Sequence, residues 1–315
     1  MSTPSAPAPT PPAHHWPWWI EQWWLLRRAA RELAANDPLR LGAATAFFTS
    51  FALPPIVIIL VQLLGSVYSA RGARRMLLTK LGQIIGTTAT SMVEQTVHNV
   101  GHASRNRLIT WLGFAFLVFV ATTLFTVIQH SLNQLWQVRP RRQVSQVAVA
   151  LRERVRSAGV LLATAVLSML AFSADALLGI FADAIAGFDA TFAHYAVQVL
   201  NALISLLIMT VWCGFVFRIL SAAKVPWRAV RRGAVLTALL IGAGERVLGL
   251  LLVGRDLGPI YGPAASTVLV LLFVFYSAMI FYFGAAFTKA YAHHVGLDIK
   301  PKKTAVRYRL VNVEE

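Results

Sequence analysis

The sequence has few charged residues and a single cysteine. Charged residues are 13% of its 315 residues, against about 25% in an average soluble protein. Cys213 alone excludes an intrachain disulfide and a cysteine-based metal cage, and it lies in an apolar run as a buried, inert thiol does. The sequence contains no G-x-S-x-G string, phosphate-binding loop or carboxylate cluster. We therefore expect no enzyme activity, no catalytic residue, no bound metal and no cofactor.

What the sequence has instead is long apolar blocks. Hydrophobic residues are 57% of the chain and the mean hydropathy is +0.61. This composition excludes a disordered chain, which needs low hydrophobicity. Because the apolar residues come in unbroken blocks rather than at the spacing of a soluble core, the pattern indicates a polytopic membrane protein.

Six of these blocks each approach the ~20 residues that cross ~30 Å of hydrocarbon. In the first block, Asp37-Pro38 supply an N-cap and a first-turn proline, and Pro54-Pro55 break or kink the helix halfway. The predicted fold class is all-α, with six transmembrane helices and amphipathic interfacial helices. The predicted spans are about 41–65, 108–130, 158–182, 194–217, 233–254 and 264–288.

The segments outside the spans differ in character. Residues 1–17 hold six of the 14 prolines and are predicted to be a disordered arm. Residues 18–36 combine tryptophans and arginines, which suits a helix in the headgroup layer, although packing on the protein's own loops is an alternative. Helical apolar spacing predicts an amphipathic insert at 70–103 and an interfacial helix at 142–157. The membrane domain covers 37–292, and residues 293–315 form a basic tail.

The distribution of lysine and arginine predicts the orientation. With a cytoplasmic N-terminus, the inner segments carry 21 of the 29 basic residues and the outer segments carry 7. The positive-inside rule then places both termini in the cytoplasm and makes the insert extracytoplasmic. The basic inner segments would lie over anionic lipids of the bilayer's cytoplasmic face. Because such a surface attracts nucleic acid without specificity, no specific nucleic-acid partner is expected.

Three ionisable residues fall inside the predicted spans, where each costs about 2.5–3.5 kcal/mol at a helix centre. Asp175 lies in the third span, and Glu245 and Arg246 lie in the fifth. Adjacent residues on a helix point about 100° apart, so Glu245 and Arg246 do not pair well. We hypothesise an ion pair between Asp175 and Arg246, which either couples transport or fixes helix packing.

Polar residues form two stripes at helical spacing, each on one helix face. Lipid cannot satisfy such groups, so both faces are expected to turn inward. There they would either line a hydrated path or bond to neighbouring helices. The first stripe would lie in the inner half of the membrane and the second in the outer half, as two half-cavities that meet near Glu245. The stripes are Thr122, Thr126, Gln129 and Asn133 in the second span, and His194, Gln198, Asn201 and Ser205 in the fourth.

Four strings resemble the YihY / virulence factor BrkB family of bacterial inner-membrane proteins. They are DPLRLGAATAFFTSFALPP at 37–55, FTVIQHSLNQLWQVRP at 125–140, VPWRAVRRGAVLTALL at 225–240, and the Tyr261-Gly262 turn with the sixth span that ends in GAAFTKAYA at 284–292. The sequence departs from the family pattern at Ala286, where an acidic residue is usual, and at Glu245, where relatives often carry lysine. The resemblance implies an inner-membrane location and no settled activity.

Some members of that family carry an old ribonuclease BN label. A ribonuclease needs a metal-binding set or paired histidines, whereas the acidic residues here are scattered. The features favour a permease or exporter for a small solute or ion, with a polar path linked to protons through Glu245 or Asp175. The alternative is a non-transporting envelope scaffold that binds lipids or protein partners. The sequence does not specify an oligomeric state.

Overall fold

A computed structural model of the chain describes residues 18–65, 72, 74–75, 77–79, 107–141, 146–186, 190–252, 265–302 and 304–308. The predicted arm at 1–17, nearly all of the predicted insert at 70–103 and the Tyr261-Gly262 turn lie outside these residues.

Most of the described residues are helical. The helices are α1 (Trp18–Ala34), α2 (Pro38–Gly65), α3 (Arg107–Leu135), α4 (Gln146–Ala186), α5 (Ala190–Phe215), α6 (Trp227–Leu252) and α7 (Ala265–His294), and a π-helical turn, Val216–Leu220, continues α5. Four short strands are also present, namely β1 (Val138–Pro140), β2 (Ala223–Lys224), β3 (Lys300–Pro301) and β4 (Ala305–Arg307). The helical class is as expected, and the strands are an addition that the sequence analysis did not predict.

Helices α2 to α7 pack as a closed ring. Each helix packs against the next one along the chain, and α7 packs against α2. Fully buried side chains from several of these elements belong to one apolar core, including Leu132 of α3, Val160 of α4, Phe217 of the π-helical turn and Tyr282 of α7. The ring therefore has an inner face that is shielded from lipid.

Four helices in the described part of the chain are long and apolar enough to cross a membrane, or five if the bent α2 is one span. The four apolar stretches are Ala115–Leu135, Leu151–Leu178, Tyr195–Leu220 and Val268–His294. Helix α6, the predicted fifth span, is not among them. Its first turns carry Arg228, Arg231 and Arg232, and its second half carries Glu245 and Arg246, which lowers its apolar character.

Helix α2 bends where the two prolines lie. Asp37 has a φ of 51°, and its carbonyl accepts a hydrogen bond from the Leu41 amide at 3.1 Å, so the helix starts directly after it. The axes of Pro38–Leu53 and Pro55–Val61 differ by 48°. Proline lacks the amide proton of the helical ladder and clashes with the preceding turn, which accounts for a bend at this point.

Helix α4 is longer than the sequence suggested. The predicted interfacial helix at 142–157 is not separate, because a single helix of 41 residues runs from Gln146 to Ala186 and includes the predicted third span. No proline interrupts it, and Gly159 alone does not end a helix. At ~1.5 Å per residue such a helix is about 60 Å long, so it extends well beyond ~30 Å of hydrocarbon.

Helices α6 and α7 approach each other through two matched Gly-x-x-x-Thr pairs. A methyl group on Gly233 of α6 would lie 1.8 Å from Oγ1 of Thr288, and one on Gly284 of α7 would lie 1.7 Å from Oγ1 of Thr237. Each threonine hydroxyl donates to the carbonyl of the glycine four residues before it in its own helix. Small residues thus bring the two backbones close, as is common in membrane helix pairs.

The chain after α7 folds back over the ends of the helices. Strand β4 pairs with β1 and strand β3 with β2, both antiparallel. Helix α1 packs along the same end of α7, where Lys289 contacts Glu32 at 2.7 Å and His294 contacts Glu21 at 2.7 Å. One end of the ring is thereby closed by α1, two β-ribbons and the tail.

Candidate functional site

The polar stripe of the second predicted span lies on α3 and faces the interior of the ring. Thr122, Gln129 and Asn133 are buried, and Thr126 is half-buried. The Thr126 hydroxyl donates to its own helix at the Thr122 carbonyl and lies 3.3 Å from the hydroxyl of Ser157, a fully buried residue of α4. This face therefore meets α4 rather than lipid.

Gln129 is the one member of this stripe whose polar atoms are unsatisfied. Its side chain is 1% exposed, and neither the amide nitrogen nor the amide oxygen has a hydrogen-bond partner among the described residues. An unsatisfied buried polar group costs about 1–3 kcal/mol. Such groups are rare in native proteins, where buried polar atoms nearly always bond to protein or ordered water.

Arg154 of α4 gives the other end of the stripe a positive charge. Its guanidinium donates to the Phe119 carbonyl at 2.8 Å, to Thr122 Oγ1 at 2.9 Å and to Thr123 Oγ1 at 3.0 Å. It also lies 4.0 Å from the centre of the Phe119 ring. The prediction of an interfacial helix at 142–157 did not include this contact, because the spacing within one helix does not show which residues of a neighbouring helix it meets.

The LNQLW string fixes the end of α3. The Asn133 side-chain oxygen accepts hydrogen bonds from Ser221 Oγ at 3.0 Å and from the Ala222 amide at 2.8 Å, after the π-helical turn. The Trp136 indole donates to the Ala285 carbonyl of α7 at 3.1 Å. These contacts give Asn133 a structural partner, and they hold α3 against both α5 and α7.

The stripe of the fourth predicted span lies on α5. Gln198, Asn201 and Ser205 are exposed in the single chain. The side chain of His194 lies outside the described residues. Ser205 shares a helix face with Met209 and Trp212, which pack against the apolar core, so the inward orientation of the stripe stays a prediction.

The predicted intramembrane charges are spread over two helices. Asp175 is half-buried on α4, whereas Glu245 and Arg246 are exposed on α6. Helix α5 packs against both α4 and α6. The hypothesised pair of Asp175 and Arg246 would therefore have to form past α5, and it stays a prediction.

Sequence reasoning missed a hydroxyl contact between α2 and α7. The Tyr282 side chain is fully buried, and its hydroxyl lies 2.6 Å from Thr45 Oγ1. A tyrosine in the middle of an apolar run was a usable signal, since its hydroxyl needs a partner when buried.

Comparison with known proteins gives one family and several membrane proteins. The sequence profile described as virulence factor BrkB matches residues 29–309. A UPF0761 membrane protein of Pseudomonas aeruginosa is 28% identical over 265 residues, which are 83% of this chain and 60% of that protein. A UPF0761 membrane protein of Azotobacter vinelandii is 25% identical over 270 residues, 81% of this chain and 60% of that protein.

A shorter match has the same name. A UPF0761 membrane protein of Chromohalobacter salexigens is 28% identical over 134 residues, 40% of this chain and 32% of that protein. The chain thus spans about 60% of the length of the first relatives it matches, and no solved structure matches it. The printed names state a membrane protein and no reaction. Because the profile covers most of the chain, this protein belongs to the BrkB virulence factor family.

Proposed function

We propose that this protein is a permease or exporter of the bacterial inner membrane, with a polar path for a small solute or ion along the inner face of α3. The observation that carries the proposal is Gln129, whose buried amide has no partner among the described residues. A hydrated or solute-filled space beside Gln129 would satisfy both of its polar atoms. A dry, purely structural interior would leave their cost uncompensated.

The neighbours of Gln129 support a path rather than an isolated pocket. Thr126 and Ser157 offer hydroxyl groups one helical turn away, and Arg154 holds a positive charge beside Thr122. Hydroxyl and amide groups exchange hydrogen bonds with a passing solute, and a cation at one end repels other cations. We therefore propose a neutral or anionic cargo.

The ring supports the proposed topology of six spans with both termini in the cytoplasm. Helix α6 packs against α5 and α7 in the same ring as the apolar helices. Its arginine-rich start lies next to the β2–β3 ribbon and the tail, on the side where basic residues are concentrated. Under this topology α6 crosses the membrane although its composition is less apolar.

A second candidate, the envelope scaffold, is favoured by the exposed polar residues of α5. Gln198, Asn201 and Ser205 are exposed in the single chain, and Leu203 and Leu207 are exposed on another face of the same helix. Amide groups are costly against lipid, so a protein partner or a second copy would cover them. In this reading α5 binds a partner and carries no solute.

A flux assay in liposomes separates these two candidates. The purified chain is screened for solute and ion flux beside Gln129→Leu, a variant with Asp175→Asn and Glu245→Gln together, and Gln198→Leu as the matched control. We expect Gln129→Leu to lower the flux at least about tenfold, which corresponds to the loss of more than ~1.4 kcal/mol of stabilisation along the path. Gln198→Leu should leave the flux unchanged. Equal flux in all variants would contradict a path along α3, and loss of flux in the charge variant alone would place coupling at Asp175 or Glu245.

A further inference from the structure

Cationic side chains gather where the tail meets the ends of α4 and α5. The pairing of β2 with β3 places Lys224 directly opposite Lys300. Residues directly opposite each other in an antiparallel pair have Cβ atoms about 4.5–5.5 Å apart, and like charges there repel. Both lysines are exposed at their positions in the ribbon. We call the following group the cation cluster: Arg156, Arg218, Lys224, Lys300 and Lys302.

Lys302 anchors the cluster to the end of α5. Its ammonium donates to the Ile219 carbonyl at 3.2 Å and to the Ser221 carbonyl at 2.6 Å. Burial and the positive charges of Arg156, Arg218 and Lys224 lower its pKa from 10.5 to about 8. Arg156, Arg218 and Lys224 therefore all act on the Lys302 ammonium, although they come from different segments of the chain.

The described part of the chain supplies no carboxylate that pairs with the cluster. Among the described residues, no member of the cation cluster has a carboxylate within the 4.0 Å of an ion pair. Glu153 acts electrostatically on Arg156, but its carboxylate lies 3.3 Å from His130. Concentrated like charges destabilise a fold unless an anion offsets them.

Donors remain free to bind such an anion. An ammonium has three donors and a guanidinium has five. Lys302 uses two of its donors on carbonyls, and Arg218 donates to the Val225 carbonyl while it lies over the Trp227 ring. The remaining N–H groups match the oxygens of a phosphate, which both arginine and lysine bind.

The depth of the cluster points to the source of the phosphate. The apolar stretch of α5 ends at Leu220, and that of α4 begins at Leu151. Arg218 and Arg156 thus lie within the last or first turns of these stretches, at the level of lipid headgroups. We propose that the cation cluster binds the phosphate headgroup of an anionic lipid in the adjacent leaflet.

Binding of short-chain lipids to the purified full chain tests this proposal. The probes are dihexanoyl phosphatidylglycerol, dihexanoyl phosphatidylcholine and inorganic phosphate, and the affinity is measured by thermophoresis in a non-ionic detergent. The test variant carries Arg156→Gln and Lys224→Gln. The matched control carries Arg228→Gln and Arg231→Gln, which remove the same charge from exposed positions of α6.

We expect the unchanged protein to bind phosphatidylglycerol at least about tenfold more tightly than phosphatidylcholine. The affinity of the test variant for phosphatidylglycerol should be about tenfold lower, and that of the control variant should fall by less than about threefold. Equal losses in both variants would show general surface attraction and overturn the site. Inorganic phosphate binding as tightly as phosphatidylglycerol would overturn the lipid assignment. Circular dichroism shows whether each variant is folded. If the double variant misfolds, the single variant Lys224→Gln takes its place, and it should weaken binding about threefold because Lys224 is exposed.

Discussion

Tyr282 shows how one polar group is accommodated inside the ring of helices. Its hydroxyl is buried between α2 and α7 and meets Thr45 at 2.6 Å. Polar contacts of this kind between membrane helices contribute about 0.6 kcal/mol on average and about 1.7 kcal/mol at most. The residue is therefore expected to stabilise the α2–α7 contact without a role in transport.

Replacing Tyr282 by phenylalanine should lower the free energy of unfolding by about 1 kcal/mol. Thr45→Val should have a similar effect, and the double variant should lose less than the sum because the two hydroxyls share one contact. Unfolding of the purified protein in detergent measures the three values. Tyr291→Phe is the control, and additive losses for Tyr282 and Thr45 would contradict the shared contact.

Lys302 predicts a pH dependence at the tail. Its pKa of about 8 in the folded chain lies below the ordinary 10.5, so the unfolded state binds more protons between these two values. The stability of the tail should therefore rise as the pH increases from about 8 to about 10.5 and stay level below about 8. The charged groups that act on Lys302 are Arg156, Arg218 and Lys224.

Melting temperatures at pH 7 and pH 10 test this prediction when the protein is compared with Lys302→Met. The rise attributed to Lys302 should disappear in the variant, and the contributions of other lysines and tyrosines cancel in the difference. If the variant and the unchanged protein show the same change in melting temperature between pH 7 and pH 10, Lys302 has an ordinary pKa in the folded chain.

Several residue positions could be predicted from the sequence, and others could not. The inward orientation of Thr122, Gln129 and Asn133 follows from their spacing and from the cost of amides in lipid. The same reasoning predicts an inward face for Gln198 and Asn201, but both are exposed in the single chain. Spacing identifies a polar face, but only the packing of neighbouring helices determines what that face meets.

At the scale of elements, the contact of α6 with α7 depends on glycine. Gly233→Ala would place a methyl group 1.8 Å from Oγ1 of Thr288, and the Gly284 carbonyl lies 3.1 Å from the same point. Overpacking of this kind costs about 1–3 kcal/mol. Gly242 lies on the same helix with no atom within 4 Å of an added methyl group.

We expect Gly233→Ala to destabilise the protein by about 1–3 kcal/mol. Gly242→Ala should leave the stability unchanged or slightly higher, because alanine favours a helix over glycine by up to ~1 kcal/mol. Thermal unfolding of both variants in the same detergent is the measurement. Adding Thr288→Gly to Gly233→Ala should recover part of the loss. Equal stability of the two single variants would show that α6 and α7 are not closely packed at Gly233.

The helix boundaries were predictable to the extent that apolar runs define them. The second predicted span, 108–130, lies within Arg107–Leu135, and the bend in α2 occurs at the predicted prolines. The continuation of α4 from Gln146 through the predicted interfacial segment was not foreseen. A change from basic to apolar composition marks the depth of a helix in the bilayer, but it does not break the hydrogen-bonded backbone.

At the scale of the whole molecule, the closed ring could not be read from the sequence. Hydropathy predicts candidate spans and their order, whereas the closure of α7 onto α2 depends on contacts such as Thr45 with Tyr282. The tail likewise gives no sequence signal for its pairing with β1 and β2, since strands of two or three residues have no measurable periodicity.

The proposed topology predicts where reporters fused to the chain will lie. Reporters at the two termini should be cytoplasmic, and a reporter inserted within 253–264, between α6 and α7, should be extracytoplasmic. Paired alkaline phosphatase and fluorescent-protein fusions measure this, because each is active on one side only. A cytoplasmic signal at 253–264 would mean that α6 does not cross the membrane.

The accessibility of residue 129 to water tests the central claim most directly. Cysteine is introduced as Gln129→Cys in a Cys213→Ser background, with Leu132→Cys as the control because Leu132 is fully buried in the apolar core. A hydrophilic thiol reagent is then applied to the protein in liposomes. The account predicts rapid labelling at position 129 and none at position 132, and the absence of labelling at both would contradict a hydrated path along α3.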